Sequence, residues 1–294
     1  MKLRIVRLLL LFFAGQAMLT MAWSQTPRIA ILDSANTKYF FSLHYPACTP
    51  PSSYTLGAEE YQRYFRGWEY VLQTNNLPYT IISDSAIENG TLNRYDLLIL
   101  SNTASLGDSE EKAIDQWVRK GGQLIATFGS GYKDVVTDPR QIDQLKLQKG
   151  GTSGLHQLWK DPLNKLFTTL LFSPGIDVQI TRYTGPTGGL LGQLANNILP
   201  YGASGNLLVQ RPPEFSSALG FLIVPGYSKP APAILSTDAA HGRVVYFSFA
   251  PEYLVSKEFN LPANIPCPDG QNWAGRSTQL RILMRDTVLY LLNN

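Results

Sequence analysis

The chain has 294 residues, of which 44% are hydrophobic, 16% charged and 11% aromatic. This is the composition of a globular protein, and it excludes a disordered, collagen-like or coiled-coil chain. Three of the 25 basic residues lie in an amino-terminal segment without acidic residues, and the remaining 22 are balanced by 22 acidic residues. Such neutrality excludes the electrostatic footprint of a nucleic-acid binder.

The first 24 residues have the pattern of a secretory signal peptide. A basic start precedes the apolar run 8–14, and Ala22 and Ser24 supply the small residues of a cleavage site before Gln25. A retained membrane anchor is the alternative, but the apolar run is shorter than the roughly 20 residues that a bilayer requires. We therefore expect the mature chain to be exported to the periplasm or the extracellular space, with no membrane span.

Strands and helices alternate in the first half of the mature chain. Short apolar runs predict buried strands at 29–32, 79–82, 95–100 and 123–128. Amphipathic periodicity predicts helices at 58–73 and 108–120, and the stretch between the first strand and the first helix is predicted to be a long loop. Short apolar strands joined by helical crossovers indicate an α/β protein whose parallel sheet is covered on both faces.

The region from about 135 to 227 is less regular. Its stretch 155–171 has partly helical character, and 206–210 is compatible with a strand. We interpret this region as an irregular, partly β insertion within a single domain that comprises residues 25–294.

Regular patterns return after this insertion. The runs 232–235 and 243–249 flank a turn at His241-Gly242 and predict a hairpin at the edge of the sheet. The stretch 276–292 predicts an amphipathic closing helix.

Two segments resemble a known superfamily. The segment 92–131 passes from a strand to a helix, stops at Gly121-Gly122 and enters the next strand, and 232–252 has the pattern of a closing strand pair. Both are similar to class I glutamine-amidotransferase-like domains, and most similar to the trimerisation domain of family 42 β-galactosidases. The resemblance implies a flavodoxin-like, doubly wound, mostly parallel sheet.

The catalytic residues of that superfamily are incomplete here. Active members carry a nucleophilic Cys on a turn after a strand and a later His-Pro-Glu motif. The corresponding segments read Thr127-Phe-Gly-Ser-Gly131, without Cys, and Ala250-Pro-Glu252, without His. We therefore expect amidotransferase activity to be absent. The resemblance then implies an interaction or ligand-binding domain without a cofactor. Its partner would be a carbohydrate or another protein, and an oligomer is compatible with this interpretation.

A hydrolase is the alternative function. Ser130 could replace the missing Cys if a base such as His44 lay beside it, although the turn lacks the Gly-x-Ser-x-Gly pattern. The plainer interpretation is a tight strand-to-loop turn that uses the conformational freedom of glycine. The carboxylates of Asp33 and Glu252 could also divide acid and base roles, provided that their environments separate their pKa values.

Polar residues follow the predicted strands at the carboxyl edge of the sheet, where open α/β sheets bind ligands. Asp33, Ser34, Asn102 and Thr103 would gather there and could hold a sugar or another small ligand by hydrogen bonds. The alternative is that these side chains only satisfy backbone groups at the strand ends.

The two cysteines, Cys48 and Cys267, both lie in the exported part, each in a proline-rich loop that leads into a helix. Neither has His or Cys at metal-ligand spacing, so no metal site is expected. An even pair in an oxidising compartment favours a disulfide. This bond would attach the closing helix to the loop that follows the first strand.

Overall fold

The computed structural model describes residues 28–44, 58–131, 134–138, 177–180, 198–200, 217–223, 231–263 and 274–293. Within these ranges one sheet contains strands β1 (Ile29–Leu32), β2 (Tyr79–Ile82), β3 (Leu97–Leu100), β4 (Gln123–Thr127), β5 (Asp177–Ile180), β6 (Ile198–Pro200), β7 (Ser217–Ile223), β8 (Ala231–Ala239) and β9 (Gly242–Phe247). The helices described are α1 (Ala35–His44), α2 (Ala58–Thr74), α3 (Asp84–Glu88), α4 (Asp108–Arg119), α5 (Pro251–Glu258) and α6 (Thr278–Leu292). None of these helices combines the length and apolarity needed to cross a membrane.

The order of the strands confirms the predicted fold class. The sheet runs β2-β1-β3-β4-β9-β8-β7-β5-β6, and its first five strands are parallel. This half has the flavodoxin-like order, with β9 in the fifth position. From β8 onward neighbouring strands are antiparallel.

Strands β1 and β3 are apolar and buried at every position because both of their faces are covered. In β1, Ile29 and Ile31 belong to one hydrophobic cluster, whereas Ala30 and Leu32 belong to the cluster on the other face. Burying an aliphatic side chain of this size stabilises a fold by about 1.5–3 kcal/mol.

The helices are divided between these two clusters. Helices α1, α2, α5 and α6 contribute to one cluster, and α3 and α4 contribute to the other. Helix α4 ends at the predicted glycine pair, for which the structure gives a reason. Gly121 has a φ of 116°, and a Cβ on Gly122 would lie 2.3 Å from the ring of Trp117.

The prediction of a long loop after the first strand is wrong, because α1 begins three residues after β1. Its first two backbone N–H groups, of Ala35 and Asn36, donate to the Asp84 carboxylate at 2.7 and 3.3 Å. The apolar residues 39–41 of α1 stand in a run and do not recur at helical spacing, so periodicity does not reveal the helix.

The prediction that the β8–β9 hairpin forms an edge of the sheet is also wrong. Strand β9 lies between β4 and β8, and β8 continues into β7. The hairpin therefore joins the parallel half of the sheet to the antiparallel half. Strands β5, β6 and β7 come from the region predicted as a partly β insertion.

Several predictions fall outside the described residues. They are the signal peptide, the cysteine pair, the partly helical stretch 155–171 and the strand at 206–210. The closing helix begins at Thr278 and packs on α2.

Candidate functional site

The loop after β1 carries the first two predicted ligand-binding residues. The Asp33 carboxylate pairs with the Lys38 ammonium at 2.6 Å and is partly exposed. Ser34 is buried, and its hydroxyl accepts the backbone N–H of Thr37 at 3.0 Å, as in a helix N-cap. Its own N–H donates to the Tyr61 hydroxyl. The Ser34 side chain thus satisfies a backbone N–H group in the first turn of α1.

The other two predicted ligand-binding residues follow β3 and bond to the turn after β4. Asn102 has a positive φ of 44°, and its amide oxygen accepts the Gly129 N–H at 3.2 Å. The Thr103 N–H donates to the Ser130 hydroxyl at 3.1 Å. Both residues are buried. These two strand ends are therefore cross-linked by side chains.

The turn after β4 is tight, as one interpretation of the sequence predicts. Positive φ values occur at Phe128, 49°, and at Gly131, 72°. The Ser130 side chain is 1% exposed, and its hydroxyl lies 3.0 Å from the carbonyl oxygen of Leu100 and 2.8 Å from that of Thr127. Because this hydroxyl also accepts the Thr103 N–H, both its donor and its acceptor capacity are used within the fold.

Glu252 lies fully buried in the first turn of α5, beside the ends of β3 and β4. Its Oε1 accepts hydrogen bonds from the hydroxyls of Thr127 at 2.5 Å and Ser101 at 3.2 Å. Burial raises the pKa of Glu252 to about 8, although the hydrogen bonds from Thr127 and Ser101 oppose this shift. At neutral pH Glu252 is therefore mostly a neutral carboxylic acid.

The candidate bases stand in different places. His44 is the last residue of α1, and its side chain is not among those described. His241 lies in the exposed turn between β8 and β9. Because β9 is parallel to β4, this turn is at the amino end of β4, and Ser130 is at the carboxyl end. His241 is thus excluded as a base for Ser130.

Sequence reasoning missed a buried pair of carboxyl groups, those of Glu110 and Asp84. The Glu110 carboxylate accepts the Gly107 N–H at 2.7 Å and the Asn36 side-chain amide at 3.1 Å. Burial and the neighbouring Asp84 carboxylate raise the pKa of Glu110 to about 8. Glu110 occupies the third position of α4, where a capping box is expected, and this local signal was available in the sequence.

The described residues contain no group of three or more His, Cys, Asp or Glu side chains arranged to hold a metal ion. The carboxyl edge of the sheet is instead a buried network of hydroxyl, amide and carboxyl groups. Ser101, Thr127 and Tyr61 also belong to this network. Ser101 and Thr127 stand at the ends of β3 and β4 and Tyr61 lies on an apolar helix face, so the sequence pattern does not predict their hydrogen bonds.

No protein-family model matches this chain, and no curated protein matches it. Several solved structures are similar to it. A β-galactosidase of Bacillus circulans sp. alkalophilus is 16% identical, with a TM-score of 0.56 over 84% of this chain and 32% of that one. Gan42B, a family 42 β-galactosidase of G. stearothermophilus, is 16% identical, with a TM-score of 0.52 over 76% of this chain and 27% of that one. A ThuA-like protein of Bacteroides uniformis is 10% identical, with a TM-score of 0.51 over 92% of this chain and 94% of that one.

This chain therefore spans a third or less of the length of those two β-galactosidases. At such low identity the similarity establishes a shared fold and carries no residue roles.

Proposed function

We propose that this chain is an exported, non-catalytic domain that acts by binding, and that its ligand is a carbohydrate. The observation that carries the first part is the state of Ser130. Its hydroxyl is buried and bonded to three backbone groups at the turn where the resembled amidotransferases carry their nucleophile. A nucleophile needs access to substrate and an adjacent base.

The remaining acid supports the same conclusion. In a catalytic triad the third residue is a carboxylate that orients an imidazolium. Glu252 is the residue in that position here, but burial raises its pKa to about 8, and its Oε1 is occupied by two hydroxyls. Two residues before it stands Ala250, which is itself buried and cannot accept a proton. These features describe a structural core rather than a reaction centre.

The polar residues at the carboxyl edge support a structural role in the same way. Ser34, Asn102 and Thr103 are buried and bond to groups of the fold, and Asp33 pairs with Lys38. The alternative that they satisfy backbone groups at strand ends explains the contacts of the Ser34 and Asn102 side chains. A ligand is then expected at a different surface of the domain.

The carbohydrate part of the proposal is supported by the enzymes in which similar domains occur. Two of the matched structures are β-galactosidases, and this chain corresponds to only part of each. A domain that is similar to part of a glycosidase and lacks a nucleophile of its own would act by binding a sugar or another protein. The leader pattern supports export, and the intact mass of the exported protein should correspond to a chain beginning at Gln25.

The test is an assay of the purified mature chain for glutaminase and β-galactosidase activity, in parallel with a glycan-binding screen. We expect specific glycan binding and no turnover. The Ser130→Ala variant separates the alternatives, because turnover that is present in the wild type and absent from Ser130→Ala would establish a hydrolase. An active chain would overturn the non-catalytic proposal, and a folded chain that retains no glycan would overturn the carbohydrate proposal.

A further inference from the structure

A cavity of about 450 Å³ opens at the edge of the sheet opposite to Ser130. Its walls come from the residues that precede β1, β3 and β4 and from the last turns of α4 and α6. Cavities that bind small molecules have volumes of about 300–1,000 Å³, so this one has the size for a single small ligand.

The lining combines apolar surfaces with polar groups. Trp117 and Tyr95 supply aromatic rings, and Leu291 and Leu292 supply aliphatic surface from the end of α6. Arg28 and Asp96 form an ion pair across the lining. The Arg28 guanidinium donates to the Asp96 carboxylate at 3.0 and 3.4 Å, and the Arg28 backbone N–H donates to it at 2.9 Å. Both side chains of this pair remain about half exposed.

Several polar groups of the lining have unused capacity. Neither the Tyr95 hydroxyl nor the Lys120 ammonium makes a hydrogen bond to the residues that the structure describes. The amides of Asn93 and Gln123 each use one hydrogen, on the carbonyl oxygens of Gly90 and Gly121. Within the described part of the chain their amide oxygens therefore remain available as acceptors.

The charged groups around the cavity oppose one another and favour neither an anionic nor a cationic ligand. Arg28 is neutralised by Asp96, which leaves the Lys120 ammonium as the one net charge among the lining residues. This ammonium attracts anions, but the cavity lies at the carboxyl-terminal ends of α4 and α6, where helix dipoles disfavour negative charge. The lining therefore suits a neutral ligand that has apolar faces and a rim of hydrogen-bonding groups.

We propose that this cavity binds the pyranose ring of a sugar. The C–H face of a pyranose is apolar and packs on aromatic or aliphatic surface, and its hydroxyls both donate and accept hydrogen bonds. The carboxylate of Asp96 and the amide oxygens of Asn93 and Gln123 accept from sugar hydroxyls, whereas Tyr95 and Lys120 donate to them. This inference rests on the proposed carbohydrate function and locates its site.

The test is isothermal titration of the mature chain with galactose, glucose, mannose and galactobiose, which separate a free monosaccharide from the end of a glycan. The variants are Tyr95→Phe, which keeps the ring and removes only the hydroxyl, and Lys120→Ala. Their matched controls are Tyr39→Phe and Lys112→Ala, because Tyr39 and Lys112 are exposed and lie away from the cavity. Circular dichroism melting establishes that each variant is folded.

We expect each cavity variant to weaken sugar affinity about two- to tenfold, the effect of one hydrogen bond, and each control to leave it unchanged. Wild-type affinity in both cavity variants would overturn the cavity site and leave the carbohydrate function standing. A wild-type chain that binds none of these sugars, and no glycan in a broader screen, would overturn both.

Discussion

Gly67 of helix α2 lies directly against the backbone of Glu252 in helix α5. A Cβ added to Gly67 would lie 2.1 Å from the Glu252 carbonyl oxygen, which is far inside contact distance. This approach brings the buried face of α2, including Trp68, over the Glu252 side chain. The glycine therefore permits the burial that gives Glu252 its raised pKa.

The variant Gly67→Ala should lower the free energy of unfolding by about 2 kcal/mol, because an approach of 2.1 Å to backbone places the overpacking cost near the upper end of its range. Alanine normally stabilises an exposed helix position by about 0.5–1 kcal/mol, but overpacking against rigid backbone costs about 1–3 kcal/mol. Urea denaturation measures the change, with Gln116→Ala on the exposed face of α4 as the control. A Gly67→Ala protein as stable as the wild type would show that the two helices are farther apart than the structure indicates.

The variant Ser130→Ala should destabilise the protein by about 1–3 kcal/mol, because it leaves the buried Thr103 N–H without its acceptor. Sugar binding should be unchanged. Ser42→Ala is the control, since Ser42 is exposed on α1 and a surface change of this kind is worth about 0.5 kcal/mol or less. Unaltered stability combined with lost turnover would instead identify Ser130 as a nucleophile.

Glu252 should make the protein less stable as the pH rises. Below the ordinary carboxyl pKa of about 4.3, both the folded and the unfolded chain hold the proton. Between this value and about 8 only the folded chain retains it, so the free energy of unfolding falls by up to about 1.4 kcal/mol per pH unit. Above about 8 the contribution of Glu252 no longer changes.

The variant Glu252→Gln isolates this effect, because an amide keeps an acceptor for the hydroxyls of Ser101 and Thr127 and does not titrate. Urea denaturation at several pH values between about 5 and 8 should give a shallower decline of stability than in the wild type. Glu110 contributes a similar decline in both proteins, so the difference belongs to Glu252. Parallel pH curves for the two proteins would contradict the raised pKa.

On our proposal that the chain is exported, Cys48 and Cys267 should be bonded to each other, with Cα atoms within about 7 Å. Alkylation of the denatured, unreduced protein should then leave its mass unchanged, whereas alkylation after reduction should modify both thiols. Peptide mapping should recover the two proline-rich loops as one cross-linked fragment. Two thiols that react without reduction would show that the pairing is wrong.

Sequence patterns predict the parallel half of this fold well because its information is local. Apolar runs mark β1, β2, β3 and β4, and acids in the first turn with glycines after the last mark α4. Helix α1 escapes prediction because its apolar residues 39–41 stand in a run and form no amphipathic pattern, and one of its capping groups, Asp84, comes from a distant part of the chain. The sequence pattern predicts the hairpin β8–β9 at an edge because its pairing with β4 and β7 is not encoded locally.

The candidate site likewise divides into features that the local sequence shows and features that depend on tertiary contacts. The absence of Cys and His from the resembled motifs is visible in the sequence, and so is the polar character of the strand ends. The sequence does not show which of these polar groups form hydrogen bonds within the fold. Those bonds join residues on different strands and helices, such as Ser130 with Thr103 and Glu252 with Thr127. The cavity at the amino edge also depends on packing, since Arg28 and Asp96 meet only once β1 and β3 pair.

Saturation-transfer NMR on mixtures of the mature chain with galactobiose tests the central claim most directly, because the same spectra report binding and cleavage. A non-catalytic carbohydrate-binding domain predicts transfer of saturation from protein to sugar, with the sugar signals unchanged during prolonged incubation. Growing signals of free galactose that Ser130→Ala abolishes would contradict it, and so would the absence of any transfer to this or other glycans.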